Sequence, residues 1–324
     1  MGKVLALDLG GTKIYSALVE REGKIIREDI RPTMSDGGFS LVADRILDSL
    51  YSVMLEGEHP AGVGVAVPAY IDPKTDTIIF SPNLKWHNVD LKKKIEDALG
   101  MPVWLENDAN LAALGEHRYG SGKSYQDMVY ITVSTGVGGG LILGGRIYGG
   151  AHGGAGEFGH MIVDAHGPEC SCKNRGCLEG LASGCAIKRD AQQLVKSGKG
   201  RHMLFIAGSV EKIDARVVGK AAIDGDKEAQ AVLANAGRYL GIAIANVANL
   251  LNPGAFIIGG GVACGVGDLI LDPARHEAYQ RTYPPYRAFL KIIPAALRSQ
   301  SGILGAAAFA MDQLESENDK LGTD

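Results

Sequence analysis

Cys170, Cys172 and Cys177 fall within eight consecutive positions of a 324-residue chain that holds five cysteines in all. Thiols crowded in this way suit a metal site or catalysis better than ordinary core packing. The opening stretch, MGKVLALDLGG, lacks the apolar region and small-residue cleavage site of a secretion signal. No uninterrupted apolar run reaches the roughly 18 residues of a membrane span, so no membrane partner and a cytoplasmic setting are expected. In that compartment thiols stay reduced. The odd cysteine total, with Cys185 and Cys264 far from the cluster, also argues against a disulfide framework.

A second kind of chemistry is written in glycines. Of the 45 in the chain, many gather at DLGGTK (8–13), STGVGGG (134–140) and IIGGGVA (257–263), each after an apolar, β-branched run. A strand leading into a glycine turn lets backbone approach a ligand closely. In the first, Gly10 and Gly11 let N–H groups face phosphate oxygens and Thr12 adds a hydroxyl. Lys13 adds charge, and Asp8 at the strand end suits a phosphate-bound Mg²⁺. Ser134, Thr135, Gly136, Gly138 and Gly139 repeat that chemistry, and Gly259 to Gly261 offer a flat backbone surface for a nucleoside. The alternative for any one of them is a glycine hairpin with no ligand; three together favour a nucleoside triphosphate.

MPVWLENDANLAALGEHRYG (101–120) reads as a strand running into a helix. Asn107 or Asp108 fits a helix cap. The position is also the carboxyl end of a strand, where open α/β sheets bind ligands. A carboxylate there is placed to accept a hydroxyl proton during phosphoryl transfer, which is the role expected of Asp108, with Asn107 fixing the acceptor. Asn83, Glu157, His160 and Glu179 supply further polar groups on segments that also read as solvated loops.

These residues need a scaffold of alternating strands and helices. Residues 40–55 carry apolar side chains at helical spacing, 90–100 form an amphipathic helix stopped by Gly100 and Pro102, and 226–253 form a long alanine-rich helix stopped by Pro253. Residues 301–315 form an apolar final helix, and the acidic tail beyond is expected to fray. VLALDLGGTKIYSALVEREGKII and VYITVSTGVGGGLILGGRIYGG share the order strand, glycine turn, strand, turn, strand. This suggests an internal duplication and two similar α/β domains with partly parallel sheets. The net charge of −4 offers no basic patch for nucleic acid.

LALDLGGTK, ENDAN, STGVGGGLILGGRIYGGAHGGAGEFGH and CSC…GCLEGLASG together resemble the ROK family (repressors, open reading frames and sugar kinases), closest to its bacterial glucokinase-like members, from residue 4 to about residue 310. The resemblance implies the actin-like ATPase (ribonuclease H-like) fold, two α/β domains with a ligand cleft between them. The expected division is 1–115 plus 301–324 against 116–300. It also implies an ATP-dependent hexokinase acting on the 6-hydroxyl of glucose or a related hexose. Asp108 becomes the base, and Asn83, Asn107, Asp108, Glu157, His160 and Glu179 become hexose contacts. ATP with Mg²⁺ falls on residues 8–13 and 133–140 and near Gly260 and Gly261. His160, Cys170, Cys172 and Cys177 become ligands of a structural Zn²⁺, a closed tetrahedral set. His160 is thereby expected to hold the metal through one ring nitrogen and a sugar through the other, so that the metal organises the sugar site.

Two departures from the family pattern stand out. Lys173 replaces the usual glycine after the second cysteine, which strains the backbone if that position needs positive φ. LRSQSGILGAA lacks the acidic-Ala pair usual before the final glycine. Family members are often dimers or tetramers. Alternatives are a kinase for N-acetylmannosamine, N-acetylglucosamine, fructose or allose, a sugar-responsive repressor, and an actin-type structural ATP-binder. The repressor reading is weakened because the first strand begins near Lys3, leaving no room for a helix-turn-helix domain.

Overall fold

The structure, a computed structural model, describes residues 2–54 and 57–321; the last residues of the acidic tail, 322–324, lie outside the described residues, as does Leu55 at the end of the expected first helix. The chain divides into two compact units, residues 1–124 with 140–155 and 299–324, and residues 125–139 with 156–298. The division expected from sequence differs chiefly in assigning 140–155 to the other unit. Gly140 explains why they belong with the first: a Cβ there would meet the Ala109 carbonyl oxygen at 2.8 Å, so the strand lies directly on helix 108–119.

The first unit begins with β1 (Val4–Leu9), β2 (Lys13–Val19), β3 (Ile25–Pro32) and α1 (Gly38–Val53), followed by β4 (Val63–Val67). A small antiparallel sheet comes next, made of β5 (Tyr70–Ile71), β6 (Ile78–Ser81) and β7 (Trp86–Val89). Then come α2 (Leu91–Leu99), β8 (Val103–Asn107) and α3 (Asp108–Tyr119). The main sheet has the order β3-β2-β1-β4-β8, with β1, β4 and β8 parallel and β2 and β3 antiparallel to their neighbours. Every residue of β1 except Asp8 is buried. The helix stop read from sequence is present, Gly100 ending α2 at φ 66°, and Asp90 caps the other end by accepting from Lys93 N.

The chain continues through β9 (Met128–Val133), β10 (Val137–Leu143) and β11 (Arg146–Ile147), and β10 carries it from the second unit into the first. In the second unit follow α4 (Leu178–Ala182), α5 (Gly184–Lys196), α6 (Arg201–Ala207), α7 (Ala215–Ile223) and α8 (Lys227–Leu251). The unit is completed by β12 (Ala255–Gly259), α9 (Gly261–Val266), α10 (Asp268–Arg281) and β13 (Ile292–Pro294). The second large sheet has the order β11-β10-β9-β12-β13. Numbered along the chain within each sheet, both read 3-2-1-4-5, which is the duplication expected from the two glycine hairpins.

Helix α8 is long and apolar enough to cross a bilayer by composition alone, but 56% of its apolar window is buried inside the protein, as in a core helix. The final helix, α11 (Ser301–Leu321), belongs to the first unit and extends six residues past the expected end at residue 315. It lies so close to α3 that a Cβ on Gly305 would fall 1.7 Å from the Leu111 carbonyl oxygen. Any side chain there forces the helices apart, so this glycine sets where the N-terminus of α11 sits.

Candidate active site

In the first unit the register sets the site. Asp8 pairs with Ala66, and Ala66 with Glu106, so the two carboxylates stand level at the carboxyl ends of parallel strands, two strand spacings (about 10 Å) apart. Asp8 is half-buried, and its withdrawal from bulk water pushes its carboxyl above its ordinary value, with Lys13 pulling the other way. The start of α11 closes over it: a Cβ on Gly302 would sit 2.9 Å from Asp8 Oδ2. Lys13 Nζ lies 5.0 Å from the centre of the Tyr15 ring.

The turn after Asp8 is held from behind. Gly10 N donates to the Lys13 carbonyl at 2.8 Å. Thr33 Oγ1 donates to the Gly10 carbonyl at 2.7 Å, and Thr33 N donates to the Thr12 carbonyl at 3.0 Å. In a trans peptide the C=O and the following N–H point in opposite directions. Tying down the Gly10 and Thr12 carbonyls therefore turns the N–H groups of Gly11 and Lys13 to the other side. Thr33 is fully buried, and no motif marked it. Gly11 also packs on Asn83, whose carbonyl oxygen would lie 3.0 Å from a Cβ at that glycine. The exposed Asn83 thus stands directly beside the glycine turn.

Beta strand β8 ends at Asn107 and α3 begins at Asp108. Asn107 does cap the helix, its Oδ1 accepting from Ala109 N at 2.9 Å and Asn110 N at 3.3 Å, while its Nδ2 donates to the Ala69 carbonyl at 3.4 Å. Asn107, and not Asp108, is therefore the N-cap residue. It occupies the first helical position, half-buried, with Oδ1 accepting from Ala109 N at 2.9 Å. The positive end of the helix favours a negative charge there. Glu106, not anticipated from sequence, braces the junction: its Oε1 accepts from Asn107 N at 2.7 Å and Asn110 Nδ2 at 3.1 Å. Burial holds its carboxyl above the ordinary value, and these two hydrogen bonds oppose that only in part. Its place as the first residue of END was the available signal.

The second unit holds the other loops. Ser134 N donates to the Gly136 carbonyl at 2.9 Å, and Ser134 Oγ accepts from Gly261 N at 2.9 Å, so two of the expected nucleotide segments are joined directly. Gly260 has φ 91° and no room for a side chain, since its Cβ would come 2.4 Å from the Val133 carbonyl oxygen. Gly138 and Gly139 lie inside β10, and Gly139 packs against Phe158. Glu157 and His160 are both exposed on a short 3₁₀ turn, with His160 N bonded to the Glu157 carbonyl at 3.0 Å. Glu179, on α4, accepts from Val137 N at 3.2 Å and Ser171 Oγ at 3.0 Å.

His160, Cys170, Cys172 and Cys177 bring four ligand atoms within 4.8 Å of one another. Cys172 Sγ is 3.7 Å from Cys177 Sγ, and Cys170 Sγ is 3.9 Å from His160 Nδ1. A tetrahedral ion with metal–sulfur bonds of ~2.3 Å has sulfur–sulfur edges of ~3.8 Å, so the donor set and its spacing fit one. A turn closed by Lys173 N donating to the Cys170 carbonyl at 2.9 Å shapes the loop, and Lys173 sits at φ 72°, the strained conformation its replacement of glycine foreshadowed. The thiols differ. The Asn174 amide holds Cys172 below its ordinary value, whereas burial, with the neighbouring thiols, pushes Cys177 up to about 12.

Against known proteins, a profile of the ROK family matches residues 4–313. The chain is 35% identical over 313 residues to the glucokinase of Thermotoga maritima, covering 96% of this chain and 98% of that one. It is 30% identical to the xylose repressor of Bacillus subtilis, covering 96% of this chain and 77% of the repressor. Among solved structures, a ROK family glucokinase from Streptomyces griseus in complex with glucose and AMPPNP superposes with a TM-score of 0.85 at 36% identity, over 95% of this chain and 99% of that one.

Proposed function

The chain belongs to the ROK family, with its actin-like, two-domain α/β fold, and from that premise we propose that it is an ATP-dependent hexokinase that phosphorylates the 6-hydroxyl of glucose. The observation that carries the reading is the ENDAN junction, where Asn107 takes the cap and leaves Asp108 at the carboxyl end of a parallel strand. The likeness, over nearly the full length of both chains, to a glucokinase solved with glucose and AMPPNP supports the substrate pair.

Asp108 orients the sugar hydroxyl and takes its proton as the γ-phosphoryl group transfers to the oxygen, breaking the bond to ADP. Asn83, Asn107, Glu157, His160 and Glu179 are the proposed contacts to the remaining hydroxyls. The N–H groups of Gly11, Lys13, Thr135 and Gly136 receive phosphate oxygens and stabilise their charge. Asp8 would hold Mg²⁺, which neutralises charge on the phosphates when bound. The Cys–His set would hold Zn²⁺, which fixes the loop between Glu157 and Glu179. The protein is proposed to act in the cytoplasm. It is also proposed to form a homo-oligomer, in keeping with exposed aromatic groups at Tyr279, Tyr283 and Phe289.

A coupled ADP-release assay across glucose, mannose, fructose, allose and the N-acetylhexosamines, with zinc analysis of the same sample, tests the reading. Glucose is expected to give the highest kcat/KM. Absence of ADP release with every sugar would overturn the kinase assignment, and sugar-dependent DNA binding would favour a repressor like the relative from Bacillus subtilis.

A further inference from the structure

The carboxylate of Glu179 touches two loops at once. Its Oε1 accepts from Ser171 Oγ at 3.0 Å and lies 3.9 Å from Cys170 Sγ, on the cysteine loop. Its Oε2 accepts from Val137 N at 3.2 Å and sits where a Cβ on Gly136 would come within 2.4 Å, on the glycine-hydroxyl loop. The residues just beyond continue the contact. Gly184 N donates to the Ser134 carbonyl at 2.7 Å and Cys185 N donates to the Thr135 carbonyl at 3.2 Å. Peptide geometry then turns the N–H groups of Thr135 and Gly136 away from this segment. Thr33 imposes the same constraint on the first glycine turn from an unrelated stretch of sequence.

We infer that Glu179 is a positioning residue for the nucleotide loop, a strut through which the ordered Cys–His loop sets the orientation of residues 134–137, so that disturbing the cysteine loop weakens nucleotide binding even with no sugar present. The inference rests on the proposal that residues 134–139 bind the nucleotide. It gives Glu179 a second role, separate from the hexose contact, and depends on the Ser171 side of the strut as much as on the Val137 side.

Titration calorimetry with Mg·ADP in the absence of sugar tests it on wild type, Ser171→Ala, Glu179→Ala and Glu179→Gln, with zinc content measured for each. Ser171 is exposed, so its variant leaves the fold intact and touches neither proposed ligand. Glu179→Ala is expected to raise the ADP dissociation constant roughly tenfold, the equivalent of losing the hydrogen bonds on both sides of the strut. Ser171→Ala is expected to raise it severalfold. Glu179→Gln, which keeps an acceptor oxygen for Val137 N, is expected to stay near wild type. Wild-type ADP affinity in both alanine variants overturns the strut. Failure of wild type itself to bind Mg·ADP overturns the nucleotide assignment of the loop, and the strut with it.

Discussion

Replacing Thr33 with valine tests how the first glycine turn is held. Valine matches threonine in shape, so the fully buried site gains no cavity and no clash, and the change is confined to the lost hydroxyl. The backbone bond from residue 33 to the Thr12 carbonyl survives, and only the 2.7 Å hydroxyl bond to the Gly10 carbonyl is lost. A carbonyl stripped of its partner beside a buried methyl group costs about 1–2 kcal/mol, which the turn can recover by rotating the Gly10–Gly11 peptide. That rotation swings the Gly11 N–H off the phosphate. The expected result is a fall of roughly 5- to 30-fold in kcat/KM for ATP, with the KM for glucose nearly unchanged. Thr33→Ser keeps the hydroxyl and is expected to recover most of the loss. Steady-state kinetics with each substrate varied in turn provide the assay. Equal damage to both substrates, or an equal defect in the serine variant, would refute the argument that Thr33 acts on the phosphate-facing amides.

Lys173→Gly should relieve the left-handed strain at φ 72° at the expense of an exposed 3.8 Å pair with Glu169. The net gain is about 0.5–1 kcal/mol, read as a two- to fivefold tighter hold on Zn²⁺ in competition with a chromophoric chelator; weaker binding would contradict it. Asp8→Asn should stabilise the protein while abolishing turnover. Burial raises the folded-state value of Asp8 above 3.8, so between the two values the folded chain keeps a proton that the unfolded chain has released. Stability from this group therefore falls as pH rises through that window and is lowest above it. Thermal unfolding should show a higher Tm for Asp8→Asn at neutral pH and a shrinking gap as pH drops toward 3.8; a lower Tm at neutral pH would contradict the assignment of burial as the dominant cause.

Much of this architecture is legible in the chain because its signals are local. The glycine turns at 10–11 and 134–136 follow apolar strands, Gly100 stops α2, and END marks a strand-to-helix junction, so a short window suffices for each. The identical strand orders follow from the repeated hairpin pattern. Contacts between distant segments are less accessible. Nothing near RPTMSDGG points to a glycine turn more than twenty residues earlier, yet Thr33 braces it. Gly302 covering Asp8, and Glu179 reaching Val137, likewise depend on packing that no local spacing encodes. The membership of residues 140–155 in the first unit is hidden for the same reason: in sequence Gly140 belongs to a glycine run, and in the structure it marks close contact with α3.

The central claim is that Asp108 is the base of a sugar kinase. Its most direct test is the turnover number of Asp108→Asn with glucose and Mg·ATP, measured beside glucose binding by calorimetry. Loss of a general base predicts a kcat lower by at least ~100-fold, with glucose affinity changed only a few-fold because asparagine retains the size and a hydrogen-bonding oxygen. A near-wild-type kcat in that variant would contradict the account.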